Sequence, residues 1–199
     1  MPHEPLELLR SRPVRERADA ARNREKVLAA AAALFAEHGV EHVSMDAVAA
    51  AAGVGKGTLF RRFGDKSGLA AALLDERERE LQDRVLSGPP PLGPGAPEGE
   101  RLTAFMAAYL DYLFDHLDLV RMSETASPGA RYRIGAYRFW HRHVAILLAG
   151  ARPQADADVL AHALLAAVGA EAAGTMAAEY GRERARAAVL DLTAALSRA

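Results

Sequence analysis

The sequence predicts an all-α protein built from two helical parts, and three observations predict it. Alanine, leucine, arginine and glutamate dominate the 199 residues while β-branched residues are sparse, a usage that favours helix almost everywhere. No stretch alternates apolar and polar residues between turn signals, so strands find no support. One segment, SGPPPLGPGAPEG at 87–99, holds five of the ten prolines, and proline both lacks an amide donor and resists helix. That segment separates a unit ending near Val85 from a longer one starting near Glu100.

The elements follow in order. A first helix is expected over 22–37, because Val27, Leu28, Ala31, Leu34 and Phe35 recur at helical spacing and Gly39 is placed to end it. Ser44 caps a short second helix over 45–52, with Met45, Val48 and Ala49 facing inward. Gly53-Val54 reads as a tight turn, a third helix runs over 56–63, and Gly64 stops it. Asp65 caps a fourth helix that reaches about Val85, with Leu69, Leu73 and Leu74 on its apolar face. Beyond the proline-rich break, helices are expected at about 100–116, 118–125, 129–149, 155–179 and 182–197, punctuated by Pro128, Pro153 and Gly181. The expected organisation is a flexible arm at 1–20, a three-helix unit at 21–68 with a linking helix at 66–85, and a C-terminal helical unit at 86–199.

Composition excludes several functions. Half of the residues are apolar, enough for real cores. There is no cysteine, which removes disulfides and thiolate metal sites. No apolar run approaches the roughly 20 residues that cross a bilayer, and the first residues are charged throughout, so a soluble cytoplasmic protein without a membrane partner is expected. Net charge is −1, with a surplus of positive charge in residues 1–70 and of negative charge thereafter. So weak an asymmetry argues for no partner, and any case for nucleic acid rests on where particular basic residues sit. A nucleophile elbow, phosphate loop, paired carboxylates and a metal-ligand series are all missing, so neither an enzyme nor a cofactor is expected. His141 and His143 are two apart on one helix, face different directions and do not share an ion easily.

The informative segment is SMDAVAAAAGVGKGTLFRRFGDKSGL, residues 44–69. Two short helices joined by a glycine-containing turn are the signature of a helix-turn-helix. In the second, Leu59 and Phe63 lie four apart and bury one side. The other side carries Gly57, Thr58, Phe60 and Arg61, with Arg62 on the flank and Lys56 at the start. That face is small where a backbone would approach DNA and supplies donors for base edges and cations for phosphates. The plainer reading is a small charged helix on an ordinary bundle. With LFAEHG before it and D-K-x-x-L after it, the stretch over about 22–69 resembles the N-terminal domain of the TetR family of bacterial regulators.

The resemblance implies that Ser44 caps the second helix and touches phosphate, that Lys56, Gly57 and Thr58 open the recognition helix, and that Lys66 binds phosphate. Three residues depart from the pattern. Gly55 replaces the usual capping serine, Phe60 stands where a tyrosine is usual, and Arg62 stands where an aromatic or histidine is common and is able to supply a charge-assisted phosphate contact in place of the lost tyrosine one. The arginines at 10, 12, 15, 17, 22 and 24 belong either to an arm lying in a minor groove or, the favoured reading, to a solvated tail balanced by Glu16, Asp19 and Glu25.

For the C-terminal unit the resemblance implies a small-effector pocket and a homodimer, hence a regulator, a repressor by expectation, that leaves double-stranded operator DNA when a small apolar or aromatic effector binds. Candidate pocket residues are Phe105, Met106, Tyr109, Leu113, His116, Tyr137, Trp140, His143 and Leu147, with Tyr112 nearby, a mix of apolar bulk and polar tips. Candidate dimer residues are Leu164, Val168, Gly174, Val189, Leu192 and Leu196, on two long amphipathic helices. The competing readings are that these residues only cover the chain's own core, and that the protein is a helical carrier or partner-binding bundle with no role on DNA.

Overall fold

α1 (Arg12–His38) begins well before the expected start at 22, because the Arg-, Glu- and Ala-rich run ahead of it favours helix. Pro13 lies in the first turn, where a missing amide costs nothing. The computed structural model describes residues 12–197, and of 12–19 the backbone alone. The expectations for residues 1–11, Arg10 among them, and for the side chains of Arg12, Arg15 and Arg17 lie outside the described residues.

Every described element is helical. After a 3-10 turn (Val40–His42) come α2 (Met45–Ala52), α3 (Lys56–Phe63) and α4 (Lys66–Ser87). Val27, Ala31 and Phe35 of α1, Val48 and Ala49 of α2, Leu59 of α3, and Leu69 and Ala70 of α4 form the first core, each less than a tenth exposed. The turn between α2 and α3 requires Gly53, whose φ of 65° is left-handed and whose amide donates to Ala49 and Ala50 carbonyls. Gly68 has a different reason: a Cβ there would lie 1.9 Å from the Phe63 carbonyl oxygen. The α3–α4 corner therefore closes only around a hydrogen.

The chain divides into two compact units between Leu73 and Leu74, inside α4 rather than at residue 86. The reason is the stripe Leu74, Leu81 and Val85, which is buried in the second unit's core together with Leu92 of the proline-rich segment. In that unit α5 (Glu98–Asp115) packs against α8 (Gly135–Ala151) and α11 (Arg182–Ser197). α9 (Ala157–Ala166) lies on α8, while α10 (Ala170–Tyr180) lies on α11 and on α6 (Leu117–Glu124). No single described helix is long and apolar enough to cross a membrane.

Two expected helices are each broken in two. The stretch expected to be helical over 129–149 contains the short α7 (Ala130–Arg133), an extended Ile134, and then α8. The one expected over 155–179 bends by 48° between α9 and α10. A helix end leaves carbonyls at its C-terminus and amides at its N-terminus without partners. Here one buried ion pair supplies both: Arg131 Nη2 donates to the Leu165 carbonyl at 2.7 Å, and Glu124 Oε2 accepts from the Ala170 amide at 2.9 Å. Arg131 Nη1 donates to Glu124 Oε1 between them. Gly169 takes the N-cap position of α10, with Arg131 beside it.

Candidate functional site

The second unit holds a cavity whose walls come from α4 to α8, with about 20 Å³ of free interior inside an envelope of about 300 Å³ that includes its mouth. Its aromatic wall is Tyr109, Tyr112, Tyr137 and Trp140; its polar wall is Glu78, Ser123, Glu124 and Arg131. Arg131 is only 8% exposed, is paired with Glu124 and sits 5.4 Å over the Tyr137 ring. Glu78 has no such cation. It accepts a hydrogen bond from the Tyr112 hydroxyl at 3.1 Å, and burial pushes its carboxyl above the ordinary carboxylate range. Burial likewise raises the Tyr109 and Tyr112 hydroxyls, so both stay protonated, and Tyr112 donates to Glu78.

Of the nine expected pocket residues, Tyr109, Tyr137 and Trp140 line this cavity. The others correct the reading. Phe105, Met106, Leu113 and Leu147 are packed in the core, at most 1% exposed. Phe105 backs the aromatic wall, its ring 5.8 Å from Tyr109 and 5.7 Å from Trp140. His116 lies against Tyr112, 5.5 Å between rings, and burial lowers its pKa. His143 meets Phe105 edge-on at 4.9 Å, and its Nε2 is buried with no hydrogen-bond partner. Glu78, Glu124, Ser123 and Arg131 were missed. Glu78 carried a signal, since it falls on the same helical stripe as Leu74, Leu81 and Val85. The charged run DERERELQDR disguised it as a solvated position.

In the first unit, α3 is held by Leu59, 1% exposed, with Phe63 half-buried. Its outward face presents Gly57, Phe60 (45% exposed) and Arg61, with Thr58 half-buried at the edge. The space around Gly57 is open, and Arg61 makes no ion pair or hydrogen bond among the described residues. Lys56 Nζ reaches Asp46 Oδ2 at 2.5 Å, both side chains being exposed. Such a pair is worth about 0–1 kcal/mol, so the ammonium exchanges readily onto an outside anion. Ser44 caps α2 by accepting from the Ala47 amide at 3.1 Å, and Gly55 leaves α3 without a side-chain cap.

Two of the expected phosphate ligands have partners inside the unit. Arg62 Nη1 donates to the Ala20 carbonyl of α1 at 2.8 Å. Lys66 Nζ donates to the carbonyls of Val40 and Glu41 at 2.9 and 3.1 Å. A lysine at a helix N-terminus opposes the helix dipole, and these two carbonyls offset that. Both residues knit the unit together before they meet any ligand.

A two-turn helix held on its apolar side, reached through a glycine turn and presenting a small, basic outer face, is the helix-turn-helix arrangement. Residues 27–73 match the family described as bacterial regulatory proteins, tetR family. The first unit is a tetR-family helix-turn-helix domain. An HTH-type transcriptional regulator of Staphylococcus aureus is 49% identical over 53 residues, 27% of this chain. The chain spans 29% of that relative's length.

The likeness in fold runs further than the tetR-family match. The Thermus thermophilus FadR, a TetR-family repressor in complex with lauroyl-CoA, superposes with a TM-score of 0.64 at 21% identity over 87% of this chain and 92% of its own. A TetR-family regulator of Pectobacterium atrosepticum gives a TM-score of 0.64 at 24% identity over 90% and 94%. A putative regulator of Saccharomonospora viridis in complex with choline gives a TM-score of 0.59 at 22% identity over 85% and 94%.

Four of the six expected dimer residues are buried within the second unit itself. Leu164, Val168 and Val189 are at most 3% exposed and belong to the second unit's own core. Gly174 is buried beneath Leu117 and Arg121. Leu196 packs against the core, while Leu192 is 43% exposed. The same helices turn Val159 and Tyr180 outward, at 62% and 53% exposure.

His143 yields a pH test of this packing. Burial first, and Arg101 second, depress its pKa to about 4. The native ring then stays neutral while the unfolded ring takes up a proton below about 6.5. Stability is unaffected above that pH and falls between about 6.5 and 4, by roughly 2 kcal/mol after allowance for partial exposure. His143→Gln should flatten this part of the stability–pH curve, measured by urea unfolding. An unchanged slope would contradict the buried, unpaired Nε2.

Proposed function

We propose that this chain is a non-enzymatic, sequence-specific transcription regulator, a homodimeric repressor that leaves operator DNA when a small apolar or aromatic effector enters the Tyr109–Trp140 cavity. The observation that carries the reading is the outer face of α3, where Gly57, Phe60 and Arg61 stand exposed with Lys56 beside them. Arg61 is the base-reading residue: its planar fork fits a guanine edge. Lys56 exchanges Asp46 for a phosphate, and Phe60 offers apolar contact to a thymine methyl. The second unit pairs with a second copy through the outward residues Val159, Tyr180 and Leu192.

An effector releases DNA only by favouring a conformation in which the two recognition helices are wrongly spaced. α4 contributes to both cores and is the continuous element between them. The ligands in the Thermus and Saccharomonospora structures support a ligand-responsive reading of the shared fold.

Arg61→Ala is expected to weaken the preferred operator by about 1–3 kcal/mol while changing binding to unrelated duplex much less. Equal losses on both DNAs would make Arg61 a phosphate contact. No loss on either would remove α3 from the interface.

A further inference from the structure

The cavity has an uncompensated charge. Arg131 is already committed to Glu124, to the Leu165 carbonyl and to the face of Tyr137. Glu78 holds only a neutral hydroxyl, that of Tyr112. The two carboxylates and one guanidinium on the walls thus leave a net negative site. An anionic ligand would have to displace Glu124 from Arg131 and then lie near two carboxylates in a poorly hydrated space. A cation would pair with the one carboxylate that lacks a counter-charge, with tyrosine and tryptophan rings beside it, whose faces attract positive charge.

Size narrows the choice. A free interior of about 20 Å³ accepts a group the size of a water molecule, which fits a primary ammonium and excludes a trimethylammonium. The larger envelope, about 300 Å³ with the mouth, leaves room for an apolar tail along the aromatic wall. The three donors of an ammonium also need acceptors. Glu78 supplies one, and the Ser123 oxygen, whose proton goes to the Val120 carbonyl, supplies another.

We propose that the ligand of this cavity is a primary amine with an apolar or aromatic tail, its ammonium held by Glu78. The proposal rests on the effector reading above for its biological role, but its chemistry is testable apart from it.

The test uses the full chain and three probes: 2-phenylethylamine, its N-trimethylated analogue and 3-phenylpropionate. Trp140 emission and calorimetry report binding, and a duplex-retention assay reports DNA release. The amine should bind saturably, the trimethylated analogue at least about tenfold more weakly, and the carboxylate not at all. Glu78→Gln should weaken the amine roughly 10- to 100-fold, the loss of a charged hydrogen bond. Its folding should be intact, because the change removes a desolvated charge and keeps the shape. Tyr112→Phe, which frees the carboxylate of its one partner, should retain amine binding. Tighter binding of the carboxylate, equal binding to Glu78→Gln, or no saturable amine binding at millimolar concentration would overturn the proposal. Amine binding that depends on Glu78 but never releases DNA would leave it standing and refute the effector role.

Discussion

Glu124→Ala is expected to cost about 3–5 kcal/mol of stability in the second unit, the usual penalty for stranding one member of a buried ion pair. Both side chains of the pair are 10% exposed. Removing the carboxylate leaves the Arg131 guanidinium without its counter-charge, and its Nε already lacks a partner. It also removes the acceptor for the Ala170 amide at the start of α10. The double variant Glu124→Leu, Arg131→Met should recover much of the loss, since apolar groups of similar volume replace such pairs at little net cost. The recovery is incomplete because the Ala170 amide remains unpartnered, at about 1–3 kcal/mol, while the Leu165 carbonyl keeps the Val168 amide. Urea unfolding of the wild type, both single variants and the double closes the cycle. A single-variant loss below about 1 kcal/mol would mean that water already satisfies the break.

Leu59→Ala is expected to cost the first unit about 2–5 kcal/mol and to abolish duplex binding. α3 has eight residues and no side-chain cap, and Leu59 is its one buried side chain. Isolated helices shorter than about 12 residues are marginal in water, so α3 exists because Leu59 docks it. The second unit should not notice. Trp140 emission and its unfolding transition should match the wild type while the first unit unfolds earlier. Full duplex affinity in Leu59→Ala would show that α3 is not the reading element.

The contrast between these two sites explains what was legible in the sequence. The first unit's α2, α3 and the turn at Gly53 are fixed by signals a few residues apart: Ser44 reaching the Ala47 amide, a left-handed glycine, Leu59 and Phe63 one turn apart. The break between α9 and α10 is made by Glu124 and Arg131, more than thirty residues earlier in the chain than the groups they satisfy. Nothing local in the alanine-rich stretch announces it. The misplaced dimer residues have another cause. Periodicity shows that Leu164, Val168 and Val189 share buried faces, but it does not show which surface buries them, and here it is the chain's own core. Arg62 and Lys66 were legible as basic residues beside a recognition helix, yet their ties to Ala20, Val40 and Glu41 depend on how α1 and the 3-10 turn fold back.

Footprinting of the wild-type chain on the intergenic DNA upstream of its own reading frame asks whether α3 reads an operator. Two half-sites with centres one helical turn, roughly 34 Å, apart should be protected. Arg61→Ala should lose this footprint before it loses general affinity for duplex. Binding should fall steeply with salt, by roughly 10³-fold or more between about 50 and 200 mM if six or more phosphates are contacted. A chain that leaves this DNA unprotected and binds no duplex in a salt-dependent way would contradict the account, whatever its cavity holds.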